Sequence, residues 1–489
     1  MMTPRNAFLC VFVRGASLAT LVATVVGCGG AAEVVRPLTG RAEFDRVFAE
    51  YDRPGSPGCA LGVIQNGEFL YARGYGEANL EHAVPITPAT VFRIASVSKQ
   101  FTAMVVLLLE ERGDLSLDDR LGRWLPELEH LGSITVRHLV HHTSGLRDYL
   151  VLTWLAGYRE TDYYDADQLM GLLSRQQALN FAPGEEFLYS NTGYFLLGVI
   201  AARAGGESFE SLAEELIFAP LGMRDTRFYS DTTEVVRQRA YGYSGADDGF
   251  AISMTPLPIV GDGGVFTSVN DLLAWDRNFY DNTLGQGDPE LIRRWITPGR
   301  LNDGEPAAGN GGWLYAAGIG LDEYRGLRRV SHGGGFVGFR AQMARYPDVR
   351  TTIITLCNVA QSNPTGLGER VADALLADTL GLAPAPTTEA SEEGVPDEFS
   401  VSMSQLRQYQ GRYVSRELGT TYTIEIRDGQ LVVQPEGRDA LLLQAVDGET
   451  FVDTTNGVRL RFARDRAGRV DGFDVEAGRV TNLWFERIG

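Results

Sequence analysis

At 489 residues the chain is long enough for two or three folding units with buried cores, and 44% hydrophobic against 22% charged residues is the balance of a soluble globular protein. Lys plus Arg total 44 against 63 for Asp plus Glu, a net charge of −19 that repels phosphate backbones and excludes a basic nucleic-acid footprint. Of the 44 cations 43 are Arg, and the one lysine is Lys99.

From the N-terminus, Arg5 and Arg14 precede an apolar run over 15–26 that is too short for a permanent membrane span and reads as an export signal over 1–27. Val25-Val26-Gly27-Cys28 resembles the lipobox of bacterial lipoproteins, which implies a lipid anchor on Cys28 holding an exported, periplasmic protein at a membrane surface. The alternative is plain secretion. Two apolar runs, 59–64 and 68–71, meet through Asn66-Gly67, a hairpin signal. Residues 101–111 form a helix pattern closed by Gly113. Ser268 followed by Asp271 resembles a shortened capping box before a helix to Phe279. Residues 326–339 and 351–357 again read as strands, so both ends of this region complete one antiparallel sheet around intervening helices, an α+β organisation. Cys59 and Cys357 lie in apolar, strand-like runs and read as separate core thiols, with no disulfide.

The stretch 382–397 holds prolines, acidic and small residues and no aromatics, and reads as a linker between a large region over 28–381 and a tail over 398–489. Short alternating runs in the tail, such as 420–426 and 458–462, with turn signals at Asp428-Gly429 and over 465–468, predict a small all-β barrel. The tail has no His, Cys or Lys, so binding, shielding or assembly into an oligomer is its expected role.

Ser96 and Lys99, three residues apart at the start of a helix, lie on one face. A chain that gives every other cationic position to Arg keeps here the one cation that loses its proton readily, so Lys99 reads as proton acceptor for a nucleophilic Ser96. Tyr189 and Asn191 stand where a loop passes into a helix. The Tyr is placed to shuttle a proton and the Asn amide to bind a substrate carbonyl. His332-Gly333-Gly334-Gly335 ends a strand-like run, where glycines permit close approach and the Gly335 amide, with that of Ser96, is expected to hold an oxyanion. His332 is expected to bond substrate or tune Lys99 and Tyr189. His138, His141 and His142 lack the Glu of a metalloprotease motif and read as structural, so neither metal nor other cofactor is expected.

Ser96-x-x-Lys99, Tyr189-x-Asn191 and His332-x-Gly334, in that order, resemble the boxes of the serine β-lactamase and penicillin-binding superfamily, most closely its class C branch. His-Thr-Ser-Gly-Leu over 142–146 and Gly263-Gly264 are similar to the same branch, and the likeness covers about residues 40–380. It implies an antiparallel sheet flanked by helices, an all-helical half, and a site between them. Ser96 would be the acylated nucleophile, Lys99 its base, Tyr189 the relay, Asn191 a substrate contact, and Gly334 and Gly335 part of the third box and its oxyanion amide. His332 stands where lactamases carry Lys, which removes a fixed cation for a substrate carboxylate and resembles the esterase and D-aminopeptidase members, some of which carry a lipocalin-like tail. The expected activity is a serine hydrolase forming an acyl-enzyme on a small-molecule or peptide ester or amide. A true β-lactamase or DD-carboxypeptidase, or a catalytically idle binding protein, are the alternatives.

Overall fold

The computed structural model describes residues 42–381, 399 and 401–488. The export signal, Cys28 and the linker over 382–397 lie outside the described residues.

The hairpin signal at Asn66-Gly67 forms two strands, β1 (Cys59–Gln65) and β2 (Glu68–Tyr75). Five more strands come from the far end of the same domain: β3 (Leu314–Tyr315), β4 (Gly320–Tyr324), β5 (Leu327–Phe336), β6 (Phe339–Tyr346) and β7 (Thr351–Cys357). Their order across the sheet is β3-β4-β5-β6-β7-β1-β2, every neighbour antiparallel, so β7 pairing with β1 joins chain segments almost 300 residues apart. The stretch read as one strand over 326–339 is two, broken at Val337 and Gly338. Val337 takes φ 45°, a conformation β-branched residues rarely adopt, and so gives no turn signal.

Alternation along β1 sends Cys59, Leu61 and Val63 to one face, against helices α1 (Ala42–Val47) and α6 (Pro364–Leu375), and Ala60 and Ile64 to the other. That other face meets the main core, which holds α2 (Lys99–Arg112), α3 (Tyr149–Leu155), α4 (Asn191–Gly205) and α5 (Val269–Tyr280). Helix α2 is buried from Lys99 through Leu109 and closes on Gly113 in the left-handed region; Ser268 caps α5 by accepting from the Asp271 amide.

Cys59 and Cys357 are joined by a disulfide, contrary to the reading of two separate thiols. They are direct cross-strand partners of β1 and β7 with Cα atoms 4.0 Å apart, a juxtaposition set by sheet register that neither local run reveals.

Residues 411–488 form a closed eight-stranded antiparallel barrel: β8 (Gly411–Ser415), β9 (Thr420–Arg427), β10 (Gln430–Pro435), β11 (Leu441–Ala445), β12 (Thr450–Asp453), β13 (Val458–Arg464), β14 (Val470–Ala477) and β15 (Val480–Ile488). Strand β8 pairs with β15 to close it. Its interior is filled by rings, with Phe473 stacked on Phe485 and edge-on to Phe462. The barrel packs on the helical half. The buried Arg147 pairs with Glu417 at 2.7 Å and donates to the carbonyls of Thr481 and Asn482, while Tyr422 donates to the Leu155 carbonyl.

Candidate active site

The chain reaches Ser96 from a two-residue strand, Phe92–Arg93, through Ala95 at φ 47°. A left-handed backbone at a residue with a Cβ is strained, and here it makes the corner from which Ser96 faces a cavity of about 150 Å³. Ser96 lies in a 3-10 turn over Ala95–Ser98, one step before α2 rather than on its first turn. Strand β5 presses on this turn. A Cβ at Gly334 would lie 2.2 Å from the Ile94 carbonyl oxygen and 3.1 Å from the Ser96 amide, so only glycine fits. Gly335, the next residue, lines the cavity.

Lys99 is fully buried. Its Nζ lies 2.6 Å from the Asp262 carbonyl, 2.8 Å from Asn191 Oδ1 and 3.3 Å from Ser96 Oγ. The first two partners only accept. In the ammonium form the third hydrogen goes to Ser96 Oγ; once the amine is neutral, its two hydrogens stay on these acceptors and its lone pair serves the Ser96 hydroxyl. Burial lowers the Lys99 pKa to about 8, opposed by the Asp262 and Asp148 carboxylates and assisted by the Arg479 guanidinium.

The Tyr189 ring stands 4.9 Å from Lys99 Nζ. Its hydroxyl is buried and completes no hydrogen bond, and burial raises its pKa, with Ser96 and Arg479 opposing the rise. A phenol so placed is a proton donor at neutral pH and not a tyrosinate. His142 packs 4.3 Å from the Tyr189 ring and accepts from the Ser190 amide through Nδ1, which fixes the segment carrying Tyr189.

Asn191 opens α4 and both ends of its amide are engaged. Oδ1 accepts from Lys99, while Nδ2 donates to Asp148 at 3.0 Å, and the residue lines the Ser96 cavity. Asp148, fully buried, also accepts from the Asn191 backbone amide and from Arg479 at 3.2 Å. Arg479 comes from the barrel, on the two-residue turn between β14 and β15, and lines the Ser96 cavity with its guanidinium 5.5 Å from the Tyr189 ring. One bonded path thus runs from the barrel to Ser96, through Arg479, Asp148, Asn191 and Lys99.

His332 on β5 is partly buried, with Nδ1 2.6 Å from the Gly333 carbonyl and Nε2 3.3 Å from the Tyr315 hydroxyl. A carbonyl only accepts, so Nδ1 carries the proton and Nε2 accepts from Tyr315. Burial and the Lys99 charge lower its pKa to about 4, which leaves it neutral and unable to replace a lysine as a fixed cation. Of the other histidines, His138 caps its own helix by accepting from the Thr135 amide, and the described residues contain no group of three or more His, Cys, Asp or Glu placed to hold a metal.

Residues 44–378 match the beta-lactamase family over more than half of the chain. The chain belongs to the beta-lactamase family. Penicillin-binding protein 4* of Bacillus subtilis strain 168 is 34% identical over 313 residues, 60% of this chain and 67% of that protein. A D-aminopeptidase of Gluconobacter oxydans is 30% identical over 378 residues, 77% of this chain and 66% of that protein, so the chain spans about two thirds of the length of these relatives. In fold, the octameric penicillin-binding protein homologue from Pyrococcus abyssi superposes with a TM-score of 0.61 at 22% identity, covering 91% of this chain and 98% of that one.

For this member of the beta-lactamase family, Ser96, Tyr189, Asn191 and Gly335 share one cavity, with Lys99 behind Ser96 and Asn191. Gly334 serves close packing, and His332 neighbours the site through Tyr315, the Tyr189 ring 6.0 Å away and the Lys99 charge. Four residues of the site escape sequence reasoning: Arg93, Asp148, Asp262 and Arg479. Asp262 adjoins Gly263-Gly264 and Asp148 follows the His-Thr-Ser-Gly-Leu run by two positions, so both were within reach of the motifs. Nothing distinguishes Arg479 from the other arginines of the tail.

Proposed function

We propose that this protein is a serine hydrolase that forms an acyl-enzyme on an amide or ester of peptide type, with a D-amino acid or cell-wall-derived substrate as the first choice. The observation that carries this reading is the buried amine of Lys99, held by the Asp262 carbonyl and Asn191 Oδ1 with its Nζ 3.3 Å from Ser96 Oγ. Lys99 takes the hydroxyl proton as Ser96 Oγ bonds to the substrate carbonyl carbon. The amides of Ser96 and Gly335 hold the resulting oxyanion. As the intermediate collapses, the scissile C–N or C–O bond breaks and Tyr189 passes its proton to the leaving group, regaining one from Lys99. Water then attacks the acyl carbon, giving a proton to Lys99, and as the bond from that carbon to Ser96 Oγ breaks Lys99 returns the proton to Oγ, releasing the acid and free Ser96.

The relative named D-aminopeptidase and the neutral His332 support an amidase or esterase over a β-lactamase. The relative named penicillin-binding protein 4* supports the second reading, a true β-lactamase or DD-carboxypeptidase. A panel of D-alanine amide, p-nitrophenyl butyrate and a chromogenic cephalosporin, with Ser96→Ala as control, separates them. Turnover of the amide or ester that vanishes in Ser96→Ala is expected; cephalosporin turnover alone reverses the order. Failure of a fluorophosphonate probe to label Ser96 in the folded protein defeats both enzyme readings and leaves an idle binding protein. Export, with or without a lipid on Cys28, belongs to this proposal, and the Cys59–Cys357 disulfide supports it because such bonds persist in oxidising compartments. Assembly through the barrel is proposed on the same footing.

A further inference from the structure

Arg93 has no assigned duty in the chemistry above, and its surroundings are unusual. The side chain is 5% exposed, yet among the described residues it forms no ion pair and no hydrogen bond, and its Nε is buried with no partner. Its guanidinium carbon lies over two aromatic rings, Phe336 at 5.1 Å and Phe266 at 6.0 Å. Ring stacking satisfies the faces of a guanidinium and leaves its N–H edges open. A buried charge without a hydrogen-bonded partner is costly, and is kept where a ligand completes it.

The open edge meets two spaces. Arg93 lines the Ser96 cavity and also a neighbouring cavity of about 430 Å³, a volume suited to a small organic group. The second cavity has a second guanidinium, Arg239, whose Nη1 has one bond, to the Tyr229 hydroxyl at 3.3 Å, and which makes no ion pair among the described residues. The two arginines are held together by backbone: Val91 bridges Arg239, and the amides of Val91 and Ala240 are bonded across that junction. Tyr229, Phe266 and Val337 supply an apolar wall, Thr255 a hydroxyl, and no Asp or Glu lines the space. The carboxylate acting most strongly on Arg93 is Asp262, on the side of the Ser96 cavity.

We infer that the Arg93–Arg239 cavity is a carboxylate subsite, selecting acyl donors whose acyl chain carries an anionic group on an apolar spacer. This rests on the Ser96 chemistry proposed above and narrows its substrate class. Two guanidiniums facing one space match the paired oxygens of a carboxylate, and the apolar wall matches a spacer. The subsite supplies from another direction the cation that the neutral His332 does not.

Binding and turnover test the subsite separately. Calorimetry on the intact Ser96→Ala protein compares 4-phenylbutyrate with its uncharged amide. The acid is expected to bind at least tenfold more tightly, and Arg239→Gln to erase that ratio. Arg93→Gln is expected to do the same; should it fail to fold, Arg239→Gln decides. Equal binding of acid and amide, no binding of either, or a ratio indifferent to Arg239→Gln overturns the subsite. On the active enzyme, the ratio of kcat/KM for mono-p-nitrophenyl glutarate over p-nitrophenyl pentanoate is expected to exceed ten and to fall toward one in Arg239→Gln. Selective binding with neither ester turned over upholds the subsite and defeats the hydrolase reading; turnover of both esters without preference upholds the hydrolase and overturns the subsite.

Discussion

At the residue scale, burial makes the Lys99 amine easier to deprotonate than an exposed lysine. Lys99 is an aliphatic cation in a fully buried position, and the nearest acceptors suit its neutral form. Arg in its place would keep the charge but could not lose the proton. Lys99→Arg is therefore expected to lower kcat/KM by about 10³-fold while leaving folding intact, checked by turnover and circular dichroism. Activity is expected to rise with pH through about 8 as Lys99 deprotonates, read from the acid limb of kcat/KM. Arg479 lowers that pKa, and without it Asp148 would hold the ammonium form more strongly, so both effects have one sign. Arg479→Ala is expected to shift the acid limb to higher pH, whereas a limb that stays put would show the barrel arginine to be electrically irrelevant. That Ser96, Lys99, Tyr189 and Asn191 would lie together was legible in the sequence through short spacings at helix starts and the resemblance they carry. Arg93 and Arg479 were not. A guanidinium in an arginine-rich chain is conspicuous only once its partners, or their absence, are placed in space.

At the element scale the nucleophile turn depends on how closely β5 approaches it. Gly334→Ala would push a methyl against the Ile94 carbonyl, and the neighbouring backbone would have to move. A loss of about 1–3 kcal/mol of stability is expected, with a larger fractional loss of activity than of folded protein, compared by denaturation and turnover. The hairpin at Asn66-Gly67, the caps at Ser268 and Gly113 and the alternation in the tail were readable because each rests on a local rule of backbone geometry. The break at Val337 and the Cys59–Cys357 bond were not. One needs a residue to act against its preference, and the other needs the register between strands at opposite ends of the domain. Closing so long a loop stabilises by about 6 kcal/mol in the chain-entropy description. Reduction is expected to lower the unfolding midpoint, and non-reducing peptide mapping to recover Cys59 and Cys357 in one linked pair.

At the scale of the whole molecule, the barrel is built into the site and not merely attached beside it. Its interior is filled with aromatic rings, so its functional contribution lies on its outside, at the turn carrying Arg479 and at the seam around Arg147. Removing one member of a buried, hydrogen-bonded ion pair costs about 3–5 kcal/mol. Arg147→Ala is expected to loosen the barrel, seen as faster hydrogen exchange over 411–488, and to reduce activity although no substrate-facing residue is changed. The tail's sequence foretold a barrel because alternation and turns are local. Its reach into the cleft was hidden, since that depends on which turn faces the helical half.

The account stands on the charge state of Lys99, and the composition of the chain makes that state directly observable. Because Lys99 is the sole lysine, protein grown with isotope-labelled lysine gives a single side-chain resonance to follow by NMR as pH is raised. Its chemical shift is expected to titrate with a midpoint near 8 in the native fold, coincident with the acid limb of kcat/KM. A lysine that stays protonated to the ordinary alkaline range while the enzyme is already active would contradict it.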